Sequence, residues 1–198
     1  MFVLARHGHS VLNLERRVNG DPTRDVPLTE QGREDARLLG LQLANMRLDA
    51  CIHTRFPRTR ETAELALAGR DVPLVVEPLL DDIAIGRLEG WSIGDYRAWT
   101  EKHSRADPFP GGESLDDAAR RYARAYRRLL ERAGAVLVVC HEIPIRYALN
   151  AAAGSDDLDA PAHDIPNATP FLFEREALAR AAERIEALVG DARAPSSK

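Results

Sequence analysis

The chain has only two cysteines in 198 residues, Cys51 and Cys140, and each sits inside a short apolar run. Two thiols so placed form neither a disulfide framework nor a cysteine-based metal site. Both read as small buried side chains. Long hydrophobic runs are also missing, so no segment has the length needed to cross a membrane. The first residues lack the basic, apolar and small-residue succession of a secretory leader. Basic charge is not in excess: the formal net charge is −4, which does not point to nucleic acid. With 44% hydrophobic and 29% charged residues the composition is that of an ordinary globular chain rather than a disordered one. The expectation is a soluble, cytoplasmic protein in which any anion site comes from a local gathering of basic side chains. The length suits one domain over residues 1–190, with a frayed tail over 191–198.

Short apolar runs are what the chain does have. Five read as strands: Phe2 to Ala5, Asp49 to His53, Pro73 to Glu77, Ala135 to Cys140 and Pro170 to Glu174. Helical spacing covers Thr29 to Met46, Pro57 to Leu67, Ile93 to His103, Ser114 to Arg132, the residues after His141 to about Ala153, and Ala177 to Val189. Thr29 is placed to cap the first of these, and Ser114-Leu115-Asp116-Asp117 has the pattern of a capping box. Strands alternating with helices predict an α/β three-layer sandwich, with a mainly parallel central sheet and helices on both faces. The stretch from about residue 80 to 112 breaks this rhythm. It carries Pro108, Pro110, five glycines and both tryptophans, Trp91 and Trp99. It reads as a lid-like insertion over one edge of the sheet, with the tryptophans either in a substrate wall or in the lid's own core.

Arg6-His7-Gly8 follows directly on the first apolar run. Parallel strands present their carboxyl ends at the sheet edge where open α/β folds bind ligands. An arginine fork grips phosphate with two hydrogen bonds. A neutral imidazole is a nucleophile near neutral pH. A glycine beside them lets the backbone come close to a bound anion. Alone, the tripeptide equally describes a strand end with a structural histidine. Three further segments add to it. Arg58 lies at the start of the helix after the second strand, where free N–H groups favour anions. Asp81, Asp82 and Glu89 form an acidic stretch, and the strand Val136 to Cys140 ends in His141. The carboxyl edge of one parallel sheet would bring His7, Arg58 and His141 together.

Read in order, the chain resembles the histidine phosphatase superfamily, the phosphoglycerate mutase-like family. The resemblance rests on Arg6-His7-Gly8 with Asn13, Pro27-Leu28-Thr29-Glu30-Gln31-Gly32, Arg58 to Ala63, Asp82 to Gly90, Gly111-Gly112-Glu113-Ser114 and the strand-ending His141. It extends from residue 2 to about 174. It implies that His7 is the nucleophile and forms a phosphohistidine. It further implies that Arg6, Arg58 and His141 bind the phosphoryl oxygens, and that Asn13 contacts phosphate, orients the pocket or simply caps a turn. The acid position falls on Asp82, where the family has a longer Glu; Asp81 and Glu89 are the alternatives. His7 is then required neutral and His141 protonated, which asks for two split pKa values. Where the family places small glycines after the second histidine, this chain has Glu142-Ile143-Pro144. The Glu142 backbone N–H can still serve phosphate. Its side chain, if aimed inward, would raise the pKa of His141 and repel very acidic substrates. Gly111 to Ser114 reads as a loop and helix cap, His9 as peripheral, and Arg55 and Arg60 as solvated charges. His53, His103 and His163 are assigned no role.

The resemblance implies a metal-independent phosphatase that acts on a small phosphorylated metabolite, with no cofactor. A mutase would need extra basic residues for a second anionic group. Here Arg87, Arg97, Lys102 and Arg105 of the insertion are offset by carboxylates, and Ile85 stands where mutases carry an aromatic residue. A mutase-type phosphotransferase and a non-catalytic phosphate-binding protein remain the alternatives. The oligomeric state is left open, a homodimer included.

Overall fold

Alternation along the opening strand sets the layers. In β1 (Phe2–Arg6), Phe2 and Leu4 join one apolar cluster while Val3 and Ala5 join another on the opposite face. β2 (Ala50–His53) and β4 (Val136–Cys140) divide in the same way: Ile52, Val136 and Val138 go to the first cluster, Cys51, Leu137 and Val139 to the second. Strands buried on both faces need helices on both sides. α2 (Glu30–Gln42) and α3 (Pro57–Ala66) cover one face through Leu39, Ala63 and Ala66. α5 (Leu115–Leu130), α6 (Glu142–Ala152) and α7 (Arg175–Val189) cover the other through Tyr122, Tyr126, Ile145 and Ala181. This computed structural model describes residues 1–160 and 165–190; the tail expected over 191–198 and His163 lie outside the described residues.

The sheet has five strands in the order β3-β2-β4-β1-β5, where β3 is Leu74–Val76 and β5 is Pro170–Phe173. The β1–β4, β4–β2 and β2–β3 pairs are parallel, and only β5 runs antiparallel, along β1. The expected α/β sandwich with a mainly parallel sheet is the observed architecture. Register places the functional ends side by side: Arg6 lies opposite Cys140, so His7 and His141 leave neighbouring strands at the same level. Both cysteines are buried.

Two helices end sooner than their apolar spacing predicts. α2 stops at Gln42 because Arg70, beyond α3, takes the carbonyls of Leu43 and Met46 at 3.0 and 2.5 Å. α4 (Ile93–Thr100) stops three residues short of His103, whose Nδ1 bonds the carbonyl of Trp99 at 2.7 Å. α1 (Val11–Leu14) is too short to show a period. Its origin is a reciprocal cap between Ser10 and Asn13. Thr29 and Ser114 cap α2 and α5 as expected. Among the described residues no helix is long and apolar enough to cross a membrane.

Candidate active site

His7 is the first residue past β1, and three neighbours hold it. Asn167 donates to its carbonyl at 2.7 Å, and Thr62 of α3 accepts the next N–H, that of Gly8, at 2.9 Å. The ring's Nδ1 is 2.7 Å from the Gly8 carbonyl. A carbonyl only accepts, so Nδ1 carries the proton and Nε2 keeps its lone pair. Gly8 also has a packing reason to be glycine. A Cβ there would lie 2.3 Å from the carbonyl oxygen of Gly32, and one on Gly32 would lie 2.1 Å from that of His9. Close approach to α2 thus requires a glycine here.

Arg58 is the centre of the site. It lies in the first turn of α3, behind Pro57 at a position that suits proline, and is only 3% exposed. Its Nε donates to His7 Nε2 at 3.0 Å. Nη1 donates to Asn19 Oδ1 at 2.5 Å, and Nη2 lies 3.2 Å from both Asp82 Oδ2 and His141 Nδ1. The guanidinium rests 4.3 Å above the Phe56 ring. Burial pulls its pKa down to about 10, against the opposing pull of Asp82. It remains a cation at neutral pH.

His141 is fully buried, wedged among Thr54, Phe56, Arg58 and Asp82. Its Nε2 is 3.0 Å from Thr54 Oγ1, and its Nδ1 is 3.4 Å from Asp82 Oδ2. The two imidazoles stand edge to face, 5.4 Å apart. Burial first, then Arg58, lowers both pKa values well below 6.5. The expected split into one neutral and one protonated ring is therefore not supplied by the chain's own groups, which favour the neutral form of both.

Asp82 is a quarter exposed, and withdrawal from water raises its pKa above 3.8 despite Arg58. Its two rivals are occupied elsewhere. Asp81 accepts from the Arg55 backbone and pairs with the Arg55 side chain at 2.5 Å. Arg55 is exposed, as expected of a solvated charge, and it holds Asp81 as well. Glu89 accepts from Asn19 Nδ2 and Gly20 N–H, each at 2.7 Å. The loop that carries Asp82 is braced from behind. Arg121 of α5 donates to the carbonyls of Leu79, Asp81 and Asp82 and pairs with Glu113 at 2.6 Å. Glu113 in turn accepts from Ala84 N–H at 2.9 Å.

Arg6, His7, Asn13, Arg58, Asp82 and Glu142 share the wall of one cavity of about 530 Å³, and His141 lies just outside that wall. Asn13 reaches the cavity while its Oδ1 accepts from Ser10 N–H at 3.0 Å. Glu142 pairs with Arg6 at 3.0 Å and with Arg146. Its carboxylate does face the cavity, but burial and Arg58 dominate at His141, whose pKa goes down. Neither tryptophan lines the cavity: Trp99 stacks on His103 at 3.8 Å, and the outer wall comes instead from Ile93, Tyr96 and Ile143. His9 stays peripheral, 3.3 Å from Thr29. Asn19, Thr54 and Arg121 are missing from the sequence-derived set. Only Arg121 carried a signal, as an arginine in the middle of a helix whose apolar face packs beneath the acidic loop. Among the described residues no group of three His, Cys, Asp or Glu side chains is placed to hold a metal ion.

Comparison with known proteins agrees with this geometry. The sequence model of the histidine phosphatase superfamily (branch 1) matches residues 2–188. A 2,3-bisphosphoglycerate-dependent phosphoglycerate mutase 2 of Gloeobacter violaceus is 31% identical over 193 residues, covering 89% of this chain and 86% of that protein. The structure of Bacillus stearothermophilus YhfR superposes with a TM-score of 0.75 at 29% identity, over 85% of this chain and 88% of that one. The alpha-ribazole phosphatase of Shigella flexneri superposes with a TM-score of 0.70 at 26% identity, over 78% and 80%.

Proposed function

The chain belongs to the histidine phosphatase superfamily, and from that premise we propose that it is a phosphatase that hydrolyses small phosphomonoesters through a phosphohistidine on His7. The observation that carries this reading is the tautomer of His7. With Nδ1–H committed to the Gly8 carbonyl, Nε2 presents its lone pair at the cavity wall, and the Arg58 cation and the Asp82 carboxyl converge there. Phosphoryl transfer depends mainly on positioning and on cations facing the equatorial oxygens. Arg58 supplies one cation. Arg6 supplies another, and its buried Nε–H has no partner among the described residues. The N–H groups at the start of α6, where no side chain caps the helix, add further donors.

The steps balance as follows. Arg58 Nε–H turns from the imidazole to a phosphoryl oxygen. His7 Nε2 attacks phosphorus, the P–O bond to the alcohol breaks, and the Asp82 carboxyl proton passes to the departing oxygen. Water then attacks the phosphohistidine and gives a proton to the Asp82 carboxylate. The N–P bond breaks, and Nε2 recovers its electron pair. A phosphoryl dianion beside Arg58 supplies the negative charge that draws His141 toward its protonated form. The raised pKa of Asp82 favours the protonated carboxyl that the first step uses.

The phosphoglycerate mutase among the relatives makes phosphotransfer to a second alcohol the rival reading. One set of assays separates the two. Turnover of p-nitrophenyl phosphate that survives EDTA and needs no bisphosphoglycerate primer is the expected result, with an acid-labile, base-stable label on His7 after rapid quenching. Dependence on the primer would favour the mutase. Vanadate binding with no turnover above a His7→Ala control would leave only a phosphate-binding protein.

A further inference from the structure

Glu142 opens α6 and lies against both the candidate phosphoryl cradle and the rest of the cavity. One carboxylate oxygen is 3.0 Å from Arg6 Nη1. The other bonds Arg146, one helical turn further on. All three side chains line the cavity. The Nε of Arg6 and the Nε of Arg146 are each buried without a hydrogen-bond partner among the described residues. A carboxylate of the protein itself thus bridges two arginines beside the place of reaction.

The remaining cations on the wall are engaged or peripheral. Arg105 pairs with Asp116 at 3.0 Å and with Asp159, and Arg17 donates to the Gly90 carbonyl at 2.7 Å. Arg97 is exposed on α4. Counted formally with Asp82 ionised, six arginines face four carboxylates across the cavity wall, an excess of six minus four, or two positive charges. One phosphomonoester dianion balances that excess by itself. Away from the cradle Ile83, Ile93, Tyr96, Leu115 and Ile143 give the wall apolar surface between its charged and polar side chains.

Resting on the phosphatase reading above, we infer that Glu142 determines specificity: it fills the place where a second acidic group of a substrate would sit, so the site takes monoesters of neutral, apolar alcohols. A substrate carboxylate near Arg146 meets the like charge of Glu142 and must displace an ion pair already made. A ring or alkyl chain has no charge to set against Glu142 and can lie on the apolar side chains of the wall, where burial favours it.

A matched pair of substrates tests this. Phenyl phosphate and 3-carboxyphenyl phosphate differ by one carboxylate on a leaving group of nearly the same size. The wild-type protein is expected to prefer phenyl phosphate by at least about tenfold in kcat/KM. Glu142→Gln keeps the shape and removes the charge. It is expected to narrow that ratio at least about fivefold, chiefly through a lower KM for the carboxylated ester. Because the ratio is taken within each variant, a general loss of activity cancels. Glu142→Asp, which restores the charge, should widen the ratio again. Equal or better use of the carboxylated ester by the wild type, or an unchanged ratio in Glu142→Gln, overturns the inference while leaving the phosphatase reading intact. Turnover of neither ester, with no label on His7, overturns both.

Discussion

Three parallel strands of this sheet end in histidine, and the three imidazoles have different surroundings. β1 leads to His7, β2 ends with His53, and β4 leads to His141. His7 and His53 are alike in local geometry: each Nδ1 bonds the carbonyl of the next residue, at 2.7 and 2.8 Å. Both are nearly buried. Yet His7 faces Arg58 and the cavity, whereas His53 reaches neither. His141 has no such backbone tether. Its two nitrogens meet Thr54 on one side and Arg58 and Asp82 on the other. An apolar strand that ends in histidine therefore tells where a ring arrives, while a residue from a different element decides what it faces. Here that residue is Arg58, which touches two of the three rings.

Substitution along the series should separate the rings by size of effect. His7→Ala comes first, with phosphatase activity lowered by at least about 10³-fold, since it removes the atom that takes the phosphoryl group. Comparable activity in this variant and the wild type would dissolve the comparison at once. Asp82→Asn should follow, with a loss of about 10³-fold on alkyl phosphates and far less on p-nitrophenyl phosphate, whose leaving oxygen needs no proton. Equal losses on both substrates would remove Asp82 from the acid role. His141→Gln should lower kcat by about 10²-fold without preventing the label on His7, as expected for a group that helps stabilise phosphoryl charge.

The same three rings show how far the sequence could be read. The sheet, its helices and the convergence of His7, Arg58 and His141 were legible because each depends on an apolar period and a strand end. Positions that depend on one long-range contact were not. Asn19 lies in a loop with no period, yet it accepts from Arg58 and donates to Glu89. Gly8 read as a glycine beside an anion site, and its need for close packing on Gly32, 24 residues away in the chain, is revealed only by the fold. Charge states were the least legible. The chemistry asks for a neutral His7 and a protonated His141, whereas burial and one shared arginine push both the same way.

That shared direction has a consequence for stability. Both rings have folded pKa values below 6.5, so the unfolded chain binds more protons between those values and 6.5. Their contribution is complete above that window and is lost as pH falls through it. Asp82 acts with the opposite sign: its raised pKa favours the folded state in acid, and that advantage fades as pH rises above 3.8. With two rings against one carboxyl, the wild-type melting temperature should drop between pH 7 and pH 5. His141→Gln removes one of the two buried rings and should show a shallower drop. Parallel curves for the two proteins would mean that His141 is not held neutral.

The smallest expected effect is the most informative about the comparison. His53 shares with His7 its place after an apolar parallel strand, its burial and its Nδ1 tether, and it lacks the arginine. If tether and strand end were enough to make a nucleophile, His53 would contribute to the labelled protein. If Arg58 and the cavity are what matter, it contributes nothing. His53→Asn keeps a side-chain N–H close to the Thr54 carbonyl, which limits the damage to packing. Both kcat and KM should then stay within about twofold of the wild type, and the quenched label should remain wholly on His7. A larger fall in kcat with an unchanged melting temperature would show that the end of β2 takes part in the chemistry, and the division drawn from Arg58 would have to be redrawn.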